Sequence, residues 1–196
     1  MPPSHPPLHQ HKLSRFHSLW CRLGLGALTL SVALLLGCAA SPVPGDYAAE
    51  QPTLQLRDYL NGRLQAHGLF TDRSGRVVKR FTVELLGRWQ GSEGVLEEDF
   101  YYSDGSTQRR VWRLQDLGAG RYTGQADDVV GTAQGQTRGN AFHWNYTLNL
   151  PVDNSVYEVQ FDDWMYLMND KVMLNKASMH KFGIYLGEVT LSFAKR

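Results

Sequence analysis

From Leu64 to the C-terminus, apolar and polar residues alternate in short runs broken at intervals by Gly, Asp or Asn. The alternation is plainest in Phe142-His143-Trp144-Asn145-Tyr146-Thr147-Leu148, where a two-residue period puts Phe142, Trp144, Tyr146 and Leu148 on one face of a strand. The same period separates Trp112 and Leu114 from Val111 and Arg113, and gathers Val189, Leu191 and Phe193. Runs of β-branched and aromatic residues bounded by turn formers predict strands over 64–72, 76–89, 93–102, 108–117, 120–126, 130–137, 140–150, 155–167, 170–179 and 184–194. Turn signals separate these runs, among them Ser74-Gly75, Asp104-Gly105, Gly139-Asn140, Asp153-Asn154 and Asn169-Asp170. Residues 54–60 offer the one plausible short helix. About ten short strands with tight turns and no long crossover predict an all-β chain, an antiparallel up-and-down meander that removes its edges by closing into a barrel. Gly131, Gly135 and Gly139 recur at every fourth residue, which in one continuous strand puts them on one face, easing coiling around a filled core or the close approach of a ligand.

The first forty residues have a different pattern. Lys12, Arg15 and Arg22 lead, without any acid, into an uncharged run from Leu23 to Leu36. A basic lead, an apolar stretch of about 7–15 residues and a small residue at its end describe a secretory signal, whereas a spanning helix needs roughly 20 apolar residues. Leu35-Leu36-Gly37-Cys38 resembles the bacterial lipobox, in which cleavage precedes a cysteine that receives diacylglycerol. Residues 1–37 are therefore expected to be a lipoprotein signal peptide and Cys38 the lipidated residue, the competing reading being an ordinary signal peptide cut after Ala39 or Ala40. The residue after the cysteine is Ala39, not an aspartate that would retain the protein in the inner membrane, so the expected location is the periplasmic face of the outer membrane. Residues 38–52, rich in Ala, Pro, Ser and Gly and free of any period, are expected to be a flexible tether, and residues 53–196 a single barrel domain.

Composition narrows the function more than it defines it. Without residues 1–37 the chain keeps 159 residues, enough for one sizeable core, with 17 basic against 19 acidic side chains. No basic surface invites nucleic acid, since Arg109-Arg110-Val111-Trp112-Arg113 is the densest cationic run. Cys21 leaves with the signal and Cys38 is expected to carry lipid, so no thiol serves a disulfide, a nucleophile or a metal. His67, His143 and His180 are too scattered for the His-x-His or His-x-x-x-His spacing of a metal site, and no Gly-x-Ser-x-Gly elbow occurs. The expectation is a protein without metal or cofactor and without catalytic residues. Its expected partners are the membrane, through the anchor, and a lipid or other apolar small molecule.

Several motifs together carry a resemblance over nearly all of the chain after the cysteine. They are Gly-Leu-Phe-Thr-Asp-Arg-Ser-Gly at 68–75, Glu98-Asp99-Phe100 leading to Ser103-Asp104-Gly105, Arg109-Arg110-Val111-Trp112, Asp128-Val129-Val130-Gly131, Leu150-Pro151-Val152-Asp153, Phe161-Asp162-Asp163-Trp164-Met165-Tyr166-Leu167, and Lys181-Phe182-Gly183 before Leu186-Gly187-Glu188-Val189. In these the chain resembles the proteobacterial lipoproteins of domain of unknown function 3833. The resemblance implies an envelope lipoprotein with a lipocalin-like domain and brings no assigned activity.

A lipocalin-like barrel can hold one small apolar ligand, and the polar residues inside its apolar strands are the candidates for recognising it. Asp162-Asp163-Trp164-Met165-Tyr166 places charge in an aromatic strand, with Asp162, Trp164 and Tyr166 on one face and Asp163 and Met165 on the other. An inward acid needs a partner, and Arg109, Arg110 or Asn175 could supply it, the two arginines lying on opposite faces. Trp112 flanks the same run. The cluster Arg109, Arg110, Trp112, Asp162, Asp163, Trp164, Tyr166 and Asn175 is thus read either as a ligand site, with an inward arginine meeting a carboxylate or phosphate, or as a structural set fixing strand register. The adjacent acids Glu97-Glu98-Asp99 and Asp127-Asp128 point to opposite faces and cannot act as pairs. The rivals to ligand binding are a structural or assembly factor of the envelope, a hydrolase acting on an envelope lipid or glycan, and a small membrane-spanning barrel, against which the charges in 93–102 and 108–117 count. The hydrolase requires Asp162 or Asp163 in the cavity with a shifted pKa.

Overall fold

The computed structural model describes residues 41–152 and 155–196; the expected signal peptide and Cys38 lie outside the described residues. Ten strands match the ten runs: β1 (Gly62–Asp72), β2 (Val77–Gln90), β3 (Glu93–Tyr102), β4 (Thr107–Gly118), β5 (Arg121–Gln125), β6 (Ala133–Arg138), β7 (Ala141–Val152), β8 (Ser155–Leu167), β9 (Val172–Lys181) and β10 (Ile184–Lys195). Each pairs antiparallel with its neighbour in the chain, and β1 pairs with β10 from Leu64↔Lys195 to Asp72↔Gly187, closing the barrel. The all-β, closed, ten-strand meander is the architecture that the alternation predicts. Parity decides which residues enter: in β2 Phe81, Val83 and Leu85 are buried while Arg80 and Glu84 are exposed.

One end of the barrel is stopped by a one-turn helix, α1 (Leu56–Leu60), within the segment expected to be helical. Five residues cannot hold a helix by propensity; burial of Leu56, Tyr59 and Leu60 holds this one. The Tyr59 hydroxyl donates to the carbonyls of Lys171 at 3.1 Å and Phe193 at 3.3 Å, fastening the plug to the ends of β9 and β10. The Leu60 carbonyl lies so close to β2 that a Cβ on Gly87 would stand 1.7 Å from its oxygen. The opposite end is the mouth, where the β1–β2, β3–β4, β5–β6, β7–β8 and β9–β10 connections gather.

The fold departs from the expected layout in three places. β6 begins at Ala133, because Asp127–Gly131 leave the β5–β6 pairing and pack as a strap on β7 instead, with Val129 bridged to Leu148 and the Val130 amide donating to the Thr147 carbonyl at 2.9 Å. Gly131 and Gly139 consequently fall in turns, and of the three spaced glycines only Gly135 lies in a strand, where Trp144 and Phe142 fill the space beside it. The described part of the expected tether is also structured: Pro44–Tyr47 form a 3-10 turn, and the Tyr47 ring packs at 5.5 Å on Trp164 and 5.3 Å on Tyr166 of β8. A single tyrosine among small residues carries no period, so composition alone gives no hint that its partners lie more than a hundred positions away.

The Leu186-Gly187-Glu188-Val189 motif acquires a physical reason. Gly187 sits where the β9–β10 register slips, at φ +147°, and a Cβ there would be 2.1 Å from the Thr71 carbonyl oxygen. Gly87 imposes the same close approach at the plug. Gly87→Ala is expected to lower stability by about 2–3 kcal/mol through overpacking against α1, which a denaturant midpoint measures, whereas Gly75→Ala in the open β1–β2 turn meets no atom and is expected to cost only the strain of its positive φ.

Candidate functional site

The inward rows do not fill the barrel. A cavity of about 160 Å³ runs between α1 and the mouth, walled chiefly by aromatic rings such as Phe100, Trp112, Phe142, Trp144 and Phe161. Trp112 meets Trp144 edge-on at 5.8 Å, and Tyr146 stacks on Phe161 at 5.1 Å. Polar side chains interrupt this apolar wall at mid-height. Glu98 of β3 and Arg110 of β4 face each other across one strand pair, and Tyr146, Asp163 and Asn175 come from β7, β8 and β9 on the far wall.

Strand parity explains each position. Gly94, Leu96, Glu98 and Phe100 form the inward row of β3, so an acid stands where an apolar residue is the rule. Arg110 shares the inward row of β4 with Trp112 and Leu114. Its Nε donates to Asp128 Oδ2 at 2.9 Å and Oδ1 at 3.1 Å, and its Nη2 to Oδ2 at 2.7 Å. Asp128 arrives from the strap Asp127–Gly131, so a charge-assisted fork fastens that strap to β4. Glu98 lies farther from the guanidinium, at 3.7 Å, and its Oε2 is buried without a donor. Burial pushes the Glu98 carboxyl up to about 7, although the Arg110 charge and the Trp112 indole oppose the rise. Burial weakens the Arg110 charge as well, but the Glu98 and Asp128 carboxylates outweigh it and hold the guanidinium above its ordinary range.

Asp163 is served differently. The Tyr146 hydroxyl donates to its Oδ2 at 2.9 Å and the Asn175 amide to its Oδ1, while the same amide group reaches the Trp164 carbonyl at 3.1 Å. Burial still dominates and pushes the Asp163 carboxyl up to about 7. Burial together with the Asp163 charge drives the Tyr146 phenol well above its ordinary value.

The eight residues singled out by sequence divide by face. Arg110, Trp112, Asp163 and Asn175 line the cavity. Arg109, Asp162, Trp164 and Tyr166 do not. Arg109 stands in an outer ladder with Asp99 at 2.7 Å and Glu97 at 2.8 Å. Asp162 meets His143 at 2.5 Å, and the His143 ring lies parallel to Trp164 at 4.1 Å, beneath Tyr47. Trp164 is thus buried on the outside of the barrel. The inward acid Asp163 finds Asn175 and Tyr146, not an arginine. Glu98 and Asp128 also belong to the site, although each sits in a run of adjacent acids that cannot act as a pair. Parity with Leu96 and Phe100 marks Glu98 as inward, whereas Asp128 lies in an irregular connection where no period exists. Among the described residues, no three His, Cys, Asp or Glu side chains gather as a metal site requires.

An edge-free antiparallel barrel with an apolar, aromatic interior defines a lipocalin-like fold. Residues 32–195 match the family described as Protein of unknown function (DUF3833), and the chain belongs to that family. No curated protein matches the sequence. Among solved structures, the S-type phycobiliprotein lyase from Guillardia theta is similar with a TM-score of 0.57 at 3% identity, over 80% of this chain and 98% of that one. A protein of unknown function from the DUF3598 family of Nostoc punctiforme is similar with a TM-score of 0.51 at 13% identity. That match covers 81% of this chain and 53% of that one, so the chain spans about half the Nostoc protein. At these identities the likeness is one of fold.

The two buried acids make stability depend on pH in a defined direction. Both carboxyls titrate near 7 in the folded chain and near 4 when unfolded, so between those values the folded state holds protons that the unfolded state has released. Their contribution is fully present below about pH 4 and is lost as pH rises to about 7, on the order of 3 kcal/mol for each group. Urea titrations are expected to show stability falling from pH 5 to pH 8, and Glu98→Gln with Asp163→Asn is expected to flatten the fall. An unchanged slope in that double variant would rule out the assignment.

Proposed function

We propose that this chain is an envelope lipoprotein, anchored through lipid on Cys38 to the outer membrane and facing the periplasm, whose barrel binds a small apolar molecule without converting it. The observation that carries the binding reading is the cavity itself. Protein interiors rarely keep voids larger than a water, and this chamber of about 160 Å³, open at the mouth, leaves its aromatic wall in contact with water until an apolar guest covers it. A chain with no cysteine after Cys38 draws its stability from its core, so an occupied cavity is the more stable state. Its size suits one ring-sized apolar group, since an apolar cavity of roughly 150 Å³ accepts benzene; a longer molecule would extend through the mouth.

Binding is favoured over catalysis by the bonding of Asp163. It lies in the cavity with a raised pKa, as the hydrolase reading requires, but both of its oxygens already accept hydrogen bonds, from Tyr146 and Asn175. That arrangement holds three strands in register and makes Asp163 part of the scaffold, not a lone acid aimed at a substrate. The disposition of charge also argues against a membrane-spanning barrel, which is apolar outside and polar within. Here the outer faces of β2, β3 and β4 carry the ladder Arg88, Glu97, Arg109 and Asp99, and the interior is aromatic.

One observation favours a second reading, an assembly or docking role. Three neighbouring hairpins expose apolar side chains at the mouth: Val77 and Val78, Val156 and Tyr157, and Phe182 and Ile184, with Phe182 86% exposed. Organic extracts of the Cys38→Ser protein, secreted in its own host and purified without detergent, are expected to contain a stoichiometric small apolar compound by mass spectrometry. Ala177→Leu, which adds bulk to the cavity wall, is expected to empty it. Consistent absence of any such compound from the unaltered cavity would move the assignment to the docking role. Metabolic labelling with palmitate, expected in the wild type and lost in Cys38→Ser, tests the anchor.

A further inference from the structure

Resting on the reading of the barrel as a binding site, we propose that the molecule it selects presents an N–H or O–H donor to Glu98 and carries no negative charge, so that free carboxylates, fatty acids among them, are rejected. An inward arginine in a lipid-binding barrel invites the opposite expectation, a guanidinium that receives the ligand's carboxylate. In this barrel the guanidinium is already engaged. Arg110 makes three hydrogen bonds to Asp128, between 2.7 and 3.1 Å. Its Nη1 stands 3.7 Å from the Glu98 carboxyl, and the Phe100 and Trp112 rings lie 5.5 and 6.0 Å from its centre. A ligand carboxylate approaching the Nη1 edge would meet the Glu98 carboxyl beside it, and one approaching the Nε side would have to displace Asp128 and with it the strap.

Glu98 is the group left wanting a partner. It is 9% exposed, lines the cavity between Leu96 and Phe100, and keeps Oε2 without a donor. Arg110 approaches it only to 3.7 Å, beyond hydrogen-bond reach. Asn140 Oδ1 is the other buried acceptor without a donor among the described residues, and it does not line the cavity. A buried acceptor left unsatisfied carries a penalty that a donor from the ligand removes. Charge points the same way. One fixed cation, Arg110, faces three carboxyls, Glu98, Asp128 and Asp163, and once Glu98 and Asp163 are ionised, above about pH 7, an additional anion in this low-dielectric interior meets net repulsion. A neutral donor or a cation meets none.

The test uses four ring-sized probes of graded polarity, toluene, phenol, benzylamine and benzoate, titrated at pH 8 into the detergent-free Cys38→Ser chain and monitored by amide and methyl NMR shifts. Phenol and benzylamine are expected to bind about ten-fold or more tightly than toluene, the worth of a hydrogen bond to a charged acceptor, and benzoate more weakly than toluene. Glu98→Leu is expected to bring phenol down to the affinity of toluene while toluene is unchanged. Should that variant fail to fold, the ranking in the parent protein decides, and Glu98→Gln serves as the second variant, keeping phenol but losing the advantage of benzylamine. Toluene binding with phenol no tighter, or benzoate binding as tightly as phenol, overturns the inference and leaves the apolar site standing. Failure of all four probes, toluene included, overturns the apolar reading and this inference together.

Discussion

The pairing of β1 with β10 is the constraint on which the rest depends. In an open sheet a strand could slip by one residue and carry its inward row outward at the cost of a few edge bonds. Here Leu64↔Lys195 at one end and Asp72↔Gly187 at the other tie the first strand to the last, so a slip anywhere must propagate around all ten. Closure therefore turns a two-residue period into a fixed set of interior residues. It also explains why the irregularities are confined to a few places, Phe70/Thr71, Asp116/Gly118 and Tyr185/Gly187, where the register shifts.

Within that closed frame, the polar band is two arrangements of different character. Around Asp163 every oxygen has a donor, and the group behaves as part of the scaffold, linking β7, β8 and β9. Around Arg110 the bonding is uneven: the Nε and Nη2 side of the guanidinium is held by Asp128, and Glu98, its direct neighbour across the strand pair, is left short. A buried network with every member satisfied rigidifies a core, whereas a partly satisfied one is unstable to any incoming partner. The asymmetry makes one wall of the cavity fixed and the other receptive.

Much of the fold was legible because its information is local. Each run carried its own period and its own turn, so ten strands and the short helix at Leu56–Leu60 could be read without knowing what they touch. Parity also separated Arg110 from Arg109 and Asp163 from Asp162. It stops short at Glu98, whose row with Leu96 and Phe100 is available, because reading Glu97-Glu98-Asp99 as acids that cannot pair leaves open which of them turns inward. Asp128 and Tyr47 could not have been found this way. Both act from segments without a period, and their partners Arg110 and Trp164 are distant in sequence. Closure, not local pattern, brings them together.

The turn at Pro44–Tyr47 gives the barrel a mechanical property. The Tyr47 carbonyl is pressed against Gly139, the Leu54 amide donates to the Gly139 carbonyl at 2.8 Å, and the ring is wedged against two aromatic side chains of β8. A pull from the N-terminal side would load the tilted and edge-on contacts of Tyr47 with Trp164 and Tyr166 before it reached the pairing of β1 with β10. The wedge thus couples the start of the described chain to the wall of β8, on the outside of the barrel, and not to the seam.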